Sequence, residues 1–223
     1  MTLDPADFIR ANTTLAAPPL VPEITLYLAT EVVPLWRKTE EEIETQGVPP
    51  PYWAFAWAGG QALARYVLDN PQLVGGRRVL DFGAGSGLLA IAAAKAGAAR
   101  VLAADIDPFA AAAIALNCAV NGVAVETTTS DIIGAAGDRD IVLVGDMCYE
   151  RPLAERLLAW LADCTRRGAD VLLGDPGRSY FPKSGVENLA TYRVPTSREL
   201  EDREIRETGV YRLTASQRRT RGE

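Results

Sequence analysis

The 223-residue sequence contains no histidine at all. The chain therefore lacks the side chain that most often acts as a general base near neutral pH and as a metal ligand. Its three cysteines, Cys118, Cys148 and Cys164, have no C-x-x-C spacing and indicate buried thiols in a reducing compartment. We expect neither a resident metal nor a proton relay through imidazole.

Positive charge and long apolar runs are also scarce. The chain has 23 Lys and Arg against 29 Asp and Glu, a formal net charge of −6. Nucleic-acid affinity comes largely from clustered Lys and Arg, so this balance favours a basic protein target over nucleic acid. No apolar run is long enough to span a bilayer. The first twenty residues hold two acids and one arginine, unlike a basic transit peptide. We expect a cytoplasmic monomer with no membrane partner.

The most informative segment, residues 79–107, joins two apolar runs through a glycine-rich turn and an alanine-rich helical pattern. The turn contains three glycines spaced two apart, Gly83, Gly85 and Gly87. Dinucleotide sites use G-x-G-x-x-G instead, and here the position of the third glycine holds leucine. Asp81 precedes the turn, where an acid would repel a phosphate but attract a cation. The pattern favours S-adenosylmethionine, which carries an ammonium and a sulfonium and no phosphate.

Predicted helices and strands alternate along most of the chain. We predict helices at residues 5–12, 56–69, 87–96, 108–121 and 152–167. We predict strands at residues 78–82, 100–105, 123–128, 140–145 and 170–173. This alternation predicts an α/β fold with a doubly wound parallel sheet. Strands at 190–194 and 210–213 are expected to flank a charged helical piece at 197–206. Prolines 49–51 mark a predicted boundary between a small helical extension, residues 1–50, and the main domain, residues 51–223. We expect the extension to cover the substrate or the cofactor.

The strand that ends at residue 105 places further candidates beside the turn. Asp105 is predicted to accept hydrogen bonds from both ribose hydroxyls, with Ile106 next to it at the cofactor site. Asp107, followed by proline, favours the N-cap of a helix over a ligand. Ser130 and Asp131 follow the next strand and could bond the adenine amine, although a turn aspartate explains that pair equally well.

A second group of candidates follows the strand at residues 140–145. Ligands of open α/β sheets bind at the carboxyl ends of strands, near the switch point. Gly145 is therefore a cofactor candidate, and Asp146 and Tyr149 are the predicted catalytic residues. We expect Asp146 to accept a hydrogen bond from the substrate amine and Tyr149 to support it. The alternative is a plain turn, because aspartate after glycine often begins one.

Aromatic residues concentrate in the segment 50–61. Because aromatic faces attract cations, Trp57 is a candidate contact for the cofactor, together with Gln61. Tyr52 and Trp53 are assigned to a substrate channel, although the pattern favours a core role for Trp53.

A turn-forming Gly-Asp-Pro-Gly-Arg segment follows the strand at residues 170–173, at the same edge of the sheet. Its Asp175 and Arg178 are also assigned to the substrate channel. The alternative is a turn with no further role.

Six motifs occur in a fixed order: P-P-Y-W-A-F-A-W-A-G-G-Q-A-L, D-F-G-A-G-S-G, A-D-I-D-P, L-N-C, G-D-M-C-Y and G-D-P-G-R. Together they resemble the family-16 seven-β-strand protein methyltransferases, which carry D/E-x-x-Y/F after the fourth strand. Asp146 and Tyr149 fill that motif here. Within the family the motifs are most similar to those of enzymes that methylate the electron transfer flavoprotein β subunit.

The resemblance implies a Rossmann-like, class I methyltransferase fold whose seven-stranded sheet ends in an antiparallel pair. It also implies S-adenosylmethionine as cofactor and a lysine of the electron transfer flavoprotein β subunit as substrate. Methyltransferases of ribosomal proteins share the glycine turn and A-D-I-D-P more distantly. They carry asparagine-proline after the fourth strand, which this chain lacks. A ribosomal protein is therefore the alternative substrate.

Overall fold

A computed structural model describes residues 4–29, 50–196 and 203–214. Its centre is a seven-stranded sheet in the order β5-β4-β3-β6-β7-β9-β8. The strands are β3 (Arg78–Phe82), β4 (Arg100–Ala104), β5 (Glu126–Thr128), β6 (Ile141–Gly145), β7 (Asp170–Asp175), β8 (Val186–Pro195) and β9 (Ile205–Leu213). Strands β3 to β7 run parallel, and β9 pairs antiparallel with β7 and β8. The predicted mostly parallel, seven-stranded sheet is confirmed.

Four α-helices accompany the sheet in the described part of the main domain. They are α2 (Ala58–Asp69), α3 (Leu88–Lys95), α4 (Pro108–Asn121) and α5 (Arg151–Arg166). The short runs of the central strands are buried on both faces: Leu143 belongs to one core cluster, and its neighbours Val142 and Val144 belong to the other. Such double burial explains why these strands are continuous apolar runs rather than alternating ones.

Local signals predicted some element bounds and missed others. The bounds of β3 and α4 match the prediction, and Asp107 caps α4 by accepting the Phe109 N–H at 2.8 Å. The last two strands are longer than expected, because their ladder continues to the pair Pro195↔Ile205. Backbone pairing therefore places Ile205 and Arg206 in β9, so the predicted helix is wrong there. Residues 197–202 of that prediction lie outside the described residues.

The N-terminal extension contains α1 (Pro5–Asn12), as predicted, and two short strands that were not predicted. These strands, β1 (Thr14–Ala16) and β2 (Leu26–Leu28), pair antiparallel. Val21 and Ile24, on the connection between them, are fully buried in the core cluster that α2 and the sheet share. The division of the chain at residue 50 stays a prediction, but the extension contributes to one common core.

Buried amide side chains attach this extension to the main domain. Gln61 Oε1 accepts the Leu20 N–H at 3.2 Å, and Asn117 Oδ1 accepts the Tyr27 N–H at 2.7 Å. Asn117 Nδ2 donates to the Ser86 carbonyl oxygen at 2.8 Å, so the same side chain also contacts the glycine turn. Each bond satisfies a backbone group that burial would otherwise leave unpaired.

None of the described helices is both long and apolar enough to cross a membrane.

Candidate active site

A cavity of about 480 Å³ opens at the carboxyl ends of the parallel strands, within the usual size range of small-molecule sites. Many of the residues predicted from sequence line it. These are Tyr52, Trp53, Trp57, Gly83, Gly85, Asp105, Ile106, Ser130, Asp131, Gly145, Asp146, Tyr149 and Arg178. The topology brings them together because the carboxyl ends of β3, β4, β5 and β6 meet at one edge.

Four other predicted residues do not line this cavity. These are Gln61, Asp81, Gly87 and Asp175. The side chains of Gln61, Asp81 and Asp175 instead accept hydrogen bonds from neighbouring backbone segments. For Gln61 the reason is physical, because its amide is bonded to Leu20 on one side and to the Ala56 carbonyl oxygen on the other.

Other lining residues were not predicted from the sequence. They include Phe82, Ile132, Ile133, Met147, Leu153 and Arg156. The apolar pair at 132–133 directly follows the predicted pair at 130–131, and that adjacency was a usable signal. Leu153 and Arg156 reach the cavity from α5, a contact that only the tertiary structure reveals.

The glycine turn follows β3 and forms one wall of the cavity. Gly83, Gly85 and Gly87 have φ angles of 66°, 50° and 80°, a left-handed region that side chains rarely adopt. A Cβ at Gly83 would also collide with the side chain of Met147. The turn is held against β4, because the Gly83 N–H donates to the Ala104 carbonyl oxygen at 2.9 Å.

Asp81 orders this turn from behind. It is 1% exposed, and its Oδ2 accepts the Ala90 N–H in the first turn of α3 at 2.9 Å. The residue before that helix is Gly87, which has no side chain to cap it, so Asp81 satisfies the helix instead. Burial raises the pKa of Asp81 to about 7. Asp81 thus shapes the turn without contacting the cavity.

Two more carboxylates follow β4 at the cavity wall. Asp105 Oδ2 accepts the Gly85 N–H at 2.8 Å, and its Oδ1 accepts the Asp107 N–H at 3.0 Å. Burial raises the pKa of Asp105, and it raises the pKa of Asp107 to about 6. Ile106 lies between them and is 73% exposed. In the described parts of the chain no Lys or Arg forms an ion pair with these carboxylates, so this wall suits a cationic ligand.

The segment after β5 is arranged differently. Asp131 Oδ1 accepts the Ile133 N–H at 3.0 Å, and its Oδ2 accepts a hydrogen bond from Arg156 at 2.8 Å. The Arg156 guanidinium lowers the pKa of Asp131. Asp131 therefore forms the predicted turn and still borders the cavity, with Ser130 beside it.

Asp146 occupies a strained position directly after β6. Its φ is 59°, in a region that aspartate tolerates better than most residues, and its side chain is 8% exposed. Its Oδ2 accepts the Gly60 N–H, at the start of α2, at 3.0 Å. Its Oδ1 accepts two bonds from Arg178, from Nη2 at 2.7 Å and from Nε at 3.2 Å. The carboxylate is thus held between a helix N-terminus and a guanidinium.

Close packing of α2 on the sheet makes this arrangement possible. A Cβ on Gly59 would collide with the Gly174 carbonyl oxygen, and one on Gly174 would collide with Gly59. The two glycines therefore let α2 approach the ends of β6 and β7 closely enough for its N–H to reach the carboxylate.

Aromatic rings surround the entrance next to Asp146. The ring centroids of Tyr52 and Trp57 are 6.0 Å apart, and those of Tyr52 and Tyr149 are 5.8 Å apart. Tyr52 and Tyr149 are about two-fifths exposed, so they border the mouth of the cavity. Trp53 is 1% exposed and stacks on Phe109 with centroids 6.3 Å apart, which matches the core role favoured by its sequence pattern.

The segment after β7 completes this side of the site. Asp175 is 2% exposed, and its Oδ1 accepts the N–H groups of Gly177 and Arg178, both at 2.7 Å. This turn directs Arg178 to Asp146 and over the ring of Trp57, with Cζ 5.7 Å from the centroid. Asp175 acts on the site through Arg178 rather than by lining the cavity.

The strand order, with its antiparallel strand β9 and a glycine turn flanked by acids, defines a class I methyltransferase. A family model described as ribosomal protein L11 methyltransferase (PrmA) matches residues 61–145. The crystal structure of a ribosomal protein L11 methylase from Lactobacillus delbrueckii subsp. bulgaricus has the same fold. It aligns with a TM-score of 0.52 at 23% identity, over 71% of this chain and 79% of that one.

Curated relatives narrow the class. The electron transfer flavoprotein beta subunit lysine methyltransferase of Danio rerio is 42% identical over 217 residues, covering 94% of this chain and 83% of that protein. The protein of the same name from Homo sapiens is 43% identical over 186 residues, covering 81% of this chain and 70% of its own length. The chain belongs to the family of electron transfer flavoprotein beta subunit lysine methyltransferases.

Proposed function

We propose that this protein transfers a methyl group from S-adenosylmethionine to lysine side chains of the electron transfer flavoprotein β subunit. One observation carries the proposal. A single cavity contains two kinds of carboxylate. Those that follow β4, Asp105 and Asp107, have no cationic partner among the described residues, whereas Asp146, which follows β6, is held by Arg178 and has aromatic neighbours. The first half suits a sulfonium nucleoside and the second suits an amine. The names of the relatives supply the substrate.

The residues of the first half fit the proposed cofactor. Asp105 would hold the ribose hydroxyls, and the close approach of the backbone at Gly83 and Gly85 would leave room for the methionine part of the cofactor. The apolar side chains of Ile106, Ile132 and Ile133 would cover the adenine. A pyrophosphate would instead meet the raised-pKa carboxylates of this wall, which cannot donate to it when ionised.

Methyl transfer to lysine requires a neutral amine in line with the methyl group. S-adenosylmethionine supplies an electrophilic methyl on a positively charged sulfur. A free lysine has a pKa near 10.4, so holding it neutral at pH 7 costs about 4.6 kcal/mol, and burial reduces that cost. Asp146 would accept a hydrogen bond from the amine and aim its lone pair, with Tyr149 beside it at the entrance. A carboxylate is a weak base toward an ammonium, so the proton leaves through water.

The test is incubation of the purified protein with methyl-labelled cofactor and purified electron transfer flavoprotein β subunit. Mass spectrometry should find whole methyl increments on lysines of that subunit, and omission of the protein should abolish them. Large-subunit ribosomal protein serves as the comparison substrate, because the family model matches residues 61–145. Labelling of the ribosomal protein alone would overturn the substrate assignment and leave the methyltransferase class intact.

We also propose that the protein works as a cytoplasmic monomer without a metal, a membrane or a nucleic acid. The net charge of −6 and the absence of histidine support this part. Activity should survive treatment with a chelator, and the mass measured in solution should be that of one chain.

A further inference from the structure

Arg178 lies between the proposed catalytic carboxylate and an aromatic ring. Its side chain is 18% exposed and donates twice to Asp146 Oδ1, at 2.7 and 3.2 Å. The guanidinium also lies over Trp57, 5.7 Å from the ring centroid. A cation paired with the catalytic acid at the substrate entrance needs a physical explanation.

The backbone around Arg178 is built to hold it there. Asp175, at the end of β7, is buried and accepts the backbone N–H groups of Gly177 and Arg178, both at 2.7 Å. Gly177 has a φ of 87°, which the turn requires and other residues avoid. The guanidinium position therefore follows from a turn anchored on a buried carboxylate and not from a loose surface contact.

The titratable side chains of Cys148 and Tyr149, close to Asp146 in sequence, keep their protonation state near neutral pH. Burial raises the pKa of Cys148 to about 12 and also raises the pKa of Tyr149, so both stay neutral around pH 8. The guanidinium stays protonated at every pH the protein would meet. Among the described residues, the titratable groups that adjoin this corner include those of Tyr52, Asp105, Cys148, Tyr149, Glu150 and Asp175.

A carboxylate beside a substrate lysine has two opposing effects. Its lone pairs orient the amine, but its negative charge favours the ammonium, which cannot attack a methyl group. Pairing the carboxylate with a guanidinium cancels the net charge, while the carboxylate oxygens remain hydrogen-bond acceptors. The guanidinium also opposes a second cation nearby, which further favours the neutral amine.

We propose that Arg178 is a positioning residue that cancels the charge of Asp146 and so keeps the bound substrate lysine neutral. This inference rests on the proposed lysine methylation. Asp175 supports it by fixing the backbone from which Arg178 extends.

The test compares the pH dependence of kcat/KM between pH 6.5 and 10 for the wild type, Arg178→Gln and Arg178→Lys. In Arg178→Gln we expect the acid limb to move up by roughly one pH unit, as loss of a nearby charge predicts. Its activity should fall roughly tenfold at pH 7 and return to within a few-fold of wild type at pH 10. Arg178→Lys keeps a cation, so its acid limb should stay near that of the wild type.

Arg100→Gln is the matched control, because it removes an exposed arginine paired with Glu126 at the far edge of the sheet. Its profile should superimpose on that of the wild type. Calorimetry with S-adenosylhomocysteine checks that each variant is folded and binds the product. A second readout is the affinity of the product-loaded protein for a lysine peptide, which should rise with pH in the wild type and less in Arg178→Gln.

A profile of Arg178→Gln that stays parallel to the wild type at all pH values would overturn the inference, as would an alkaline shift of equal size in Arg178→Lys. If Arg178→Gln does not bind S-adenosylhomocysteine, the Arg178→Lys profile and the wild-type peptide affinities decide the question. A wild type that methylates no lysine of the flavoprotein subunit defeats the proposed function instead, so the two failures are distinguishable.

Discussion

The two halves of the cavity use acidic residues in opposite ways. On the glycine-turn side, Asp81, Asp105 and Asp107 accept backbone N–H groups, and burial raises the pKa of each. On the β6 side, Asp146 is paired with Arg178 at 2.7 Å. The carboxylates on the glycine-turn side form no ion pair with a described Lys or Arg. On the β6 side, Arg178 neutralises the charge of Asp146.

This difference indicates which half of the cavity is suited to bind a charged ligand. Buried carboxylates with raised pKa values gain stability when a cation arrives, so the glycine-turn side is suited to a sulfonium compound. A balanced carboxylate gains less from a cation and orients a neutral group instead. The comparison therefore supports the proposal that the cofactor binds at one end of the cavity and that the amine is oriented at the other.

The largest expected effect comes from removing the carboxylate of the balanced half. Asp146→Ala should lower turnover by roughly 10³-fold, because the amine loses its orienting acceptor. Affinity for S-adenosylhomocysteine should stay within about threefold, since the other half is intact. Initial rates at saturating cofactor and calorimetry measure the two quantities.

The control for this change is Asp131→Ala, which removes the other acid–arginine pair at the cavity, Asp131 with Arg156. It should leave turnover at saturating cofactor nearly unchanged. Full activity of Asp146→Ala would show that Asp146 has no role in the mechanism. It would also contradict the proposal that the β6 side of the cavity orients the amine.

The next effect should appear on the glycine-turn side. Asp105→Ala removes an acceptor for the Gly85 N–H and the proposed ribose partner. Affinity for S-adenosylmethionine should fall roughly 10- to 100-fold, the value of one or two hydrogen bonds to a charged group. Turnover at saturating cofactor should stay within a few-fold. A variant with unchanged affinity and lost turnover would reverse the assignment of the halves.

Most of the fold could be predicted because the central strands are distinctive. The run at Arg78–Phe82 is short, apolar and followed by glycines, and the Asp107–Pro108 pair marks a helix start without tertiary information. The start of β9 could not be predicted, because Ile205 and Arg206 lie in a highly charged segment and join the strand only through pairing with β8. Ladder hydrogen bonds between distant segments leave no local pattern.

The candidate site was predictable to the extent that strand ends define it. Asp105 and Asp146 follow strands directly, so topology alone brings them to one edge. Helical residues were harder, because the face a helix presents depends on what packs against it. Trp57 and Gln61 are one turn apart, yet Trp57 reaches the cavity while Gln61 bonds to the extension.

A third prediction concerns pH and tests the unbalanced charge directly. The ordinary pKa of an aspartate carboxyl is 3.8, whereas burial raises the pKa of Asp107 to about 6 and that of Asp81 to about 7. In the ligand-free protein, the stability contributed by these groups is therefore present at acidic pH and is lost as pH rises from about 4 to 7. A bound cation favours the ionised forms, so binding should release protons.

Affinity for S-adenosylmethionine should consequently increase between pH 5 and 8 by up to about tenfold more than affinity for the uncharged-sulfur product. Calorimetry of both ligands across this range, in buffers of different ionisation enthalpy, measures the affinities and the protons released. Identical pH dependence for the two ligands would show that the sulfonium does not interact with these carboxylates.

The smallest effect should come from Gln61, which lies outside both halves. Gln61→Ala leaves the partly buried Leu20 N–H without its acceptor and should destabilise the protein by about 1–3 kcal/mol. For a chain of this size each kcal/mol lowers Tm by roughly 2–4 °C. Cofactor affinity should stay within twofold, because Gln61 does not line the cavity. Gln72→Ala, at an exposed position after the same helix, is the matched control and should change neither quantity. A large loss of cofactor affinity in Gln61→Ala at unchanged Tm would instead show that Gln61 contributes to cofactor binding. The cofactor site would then include α2.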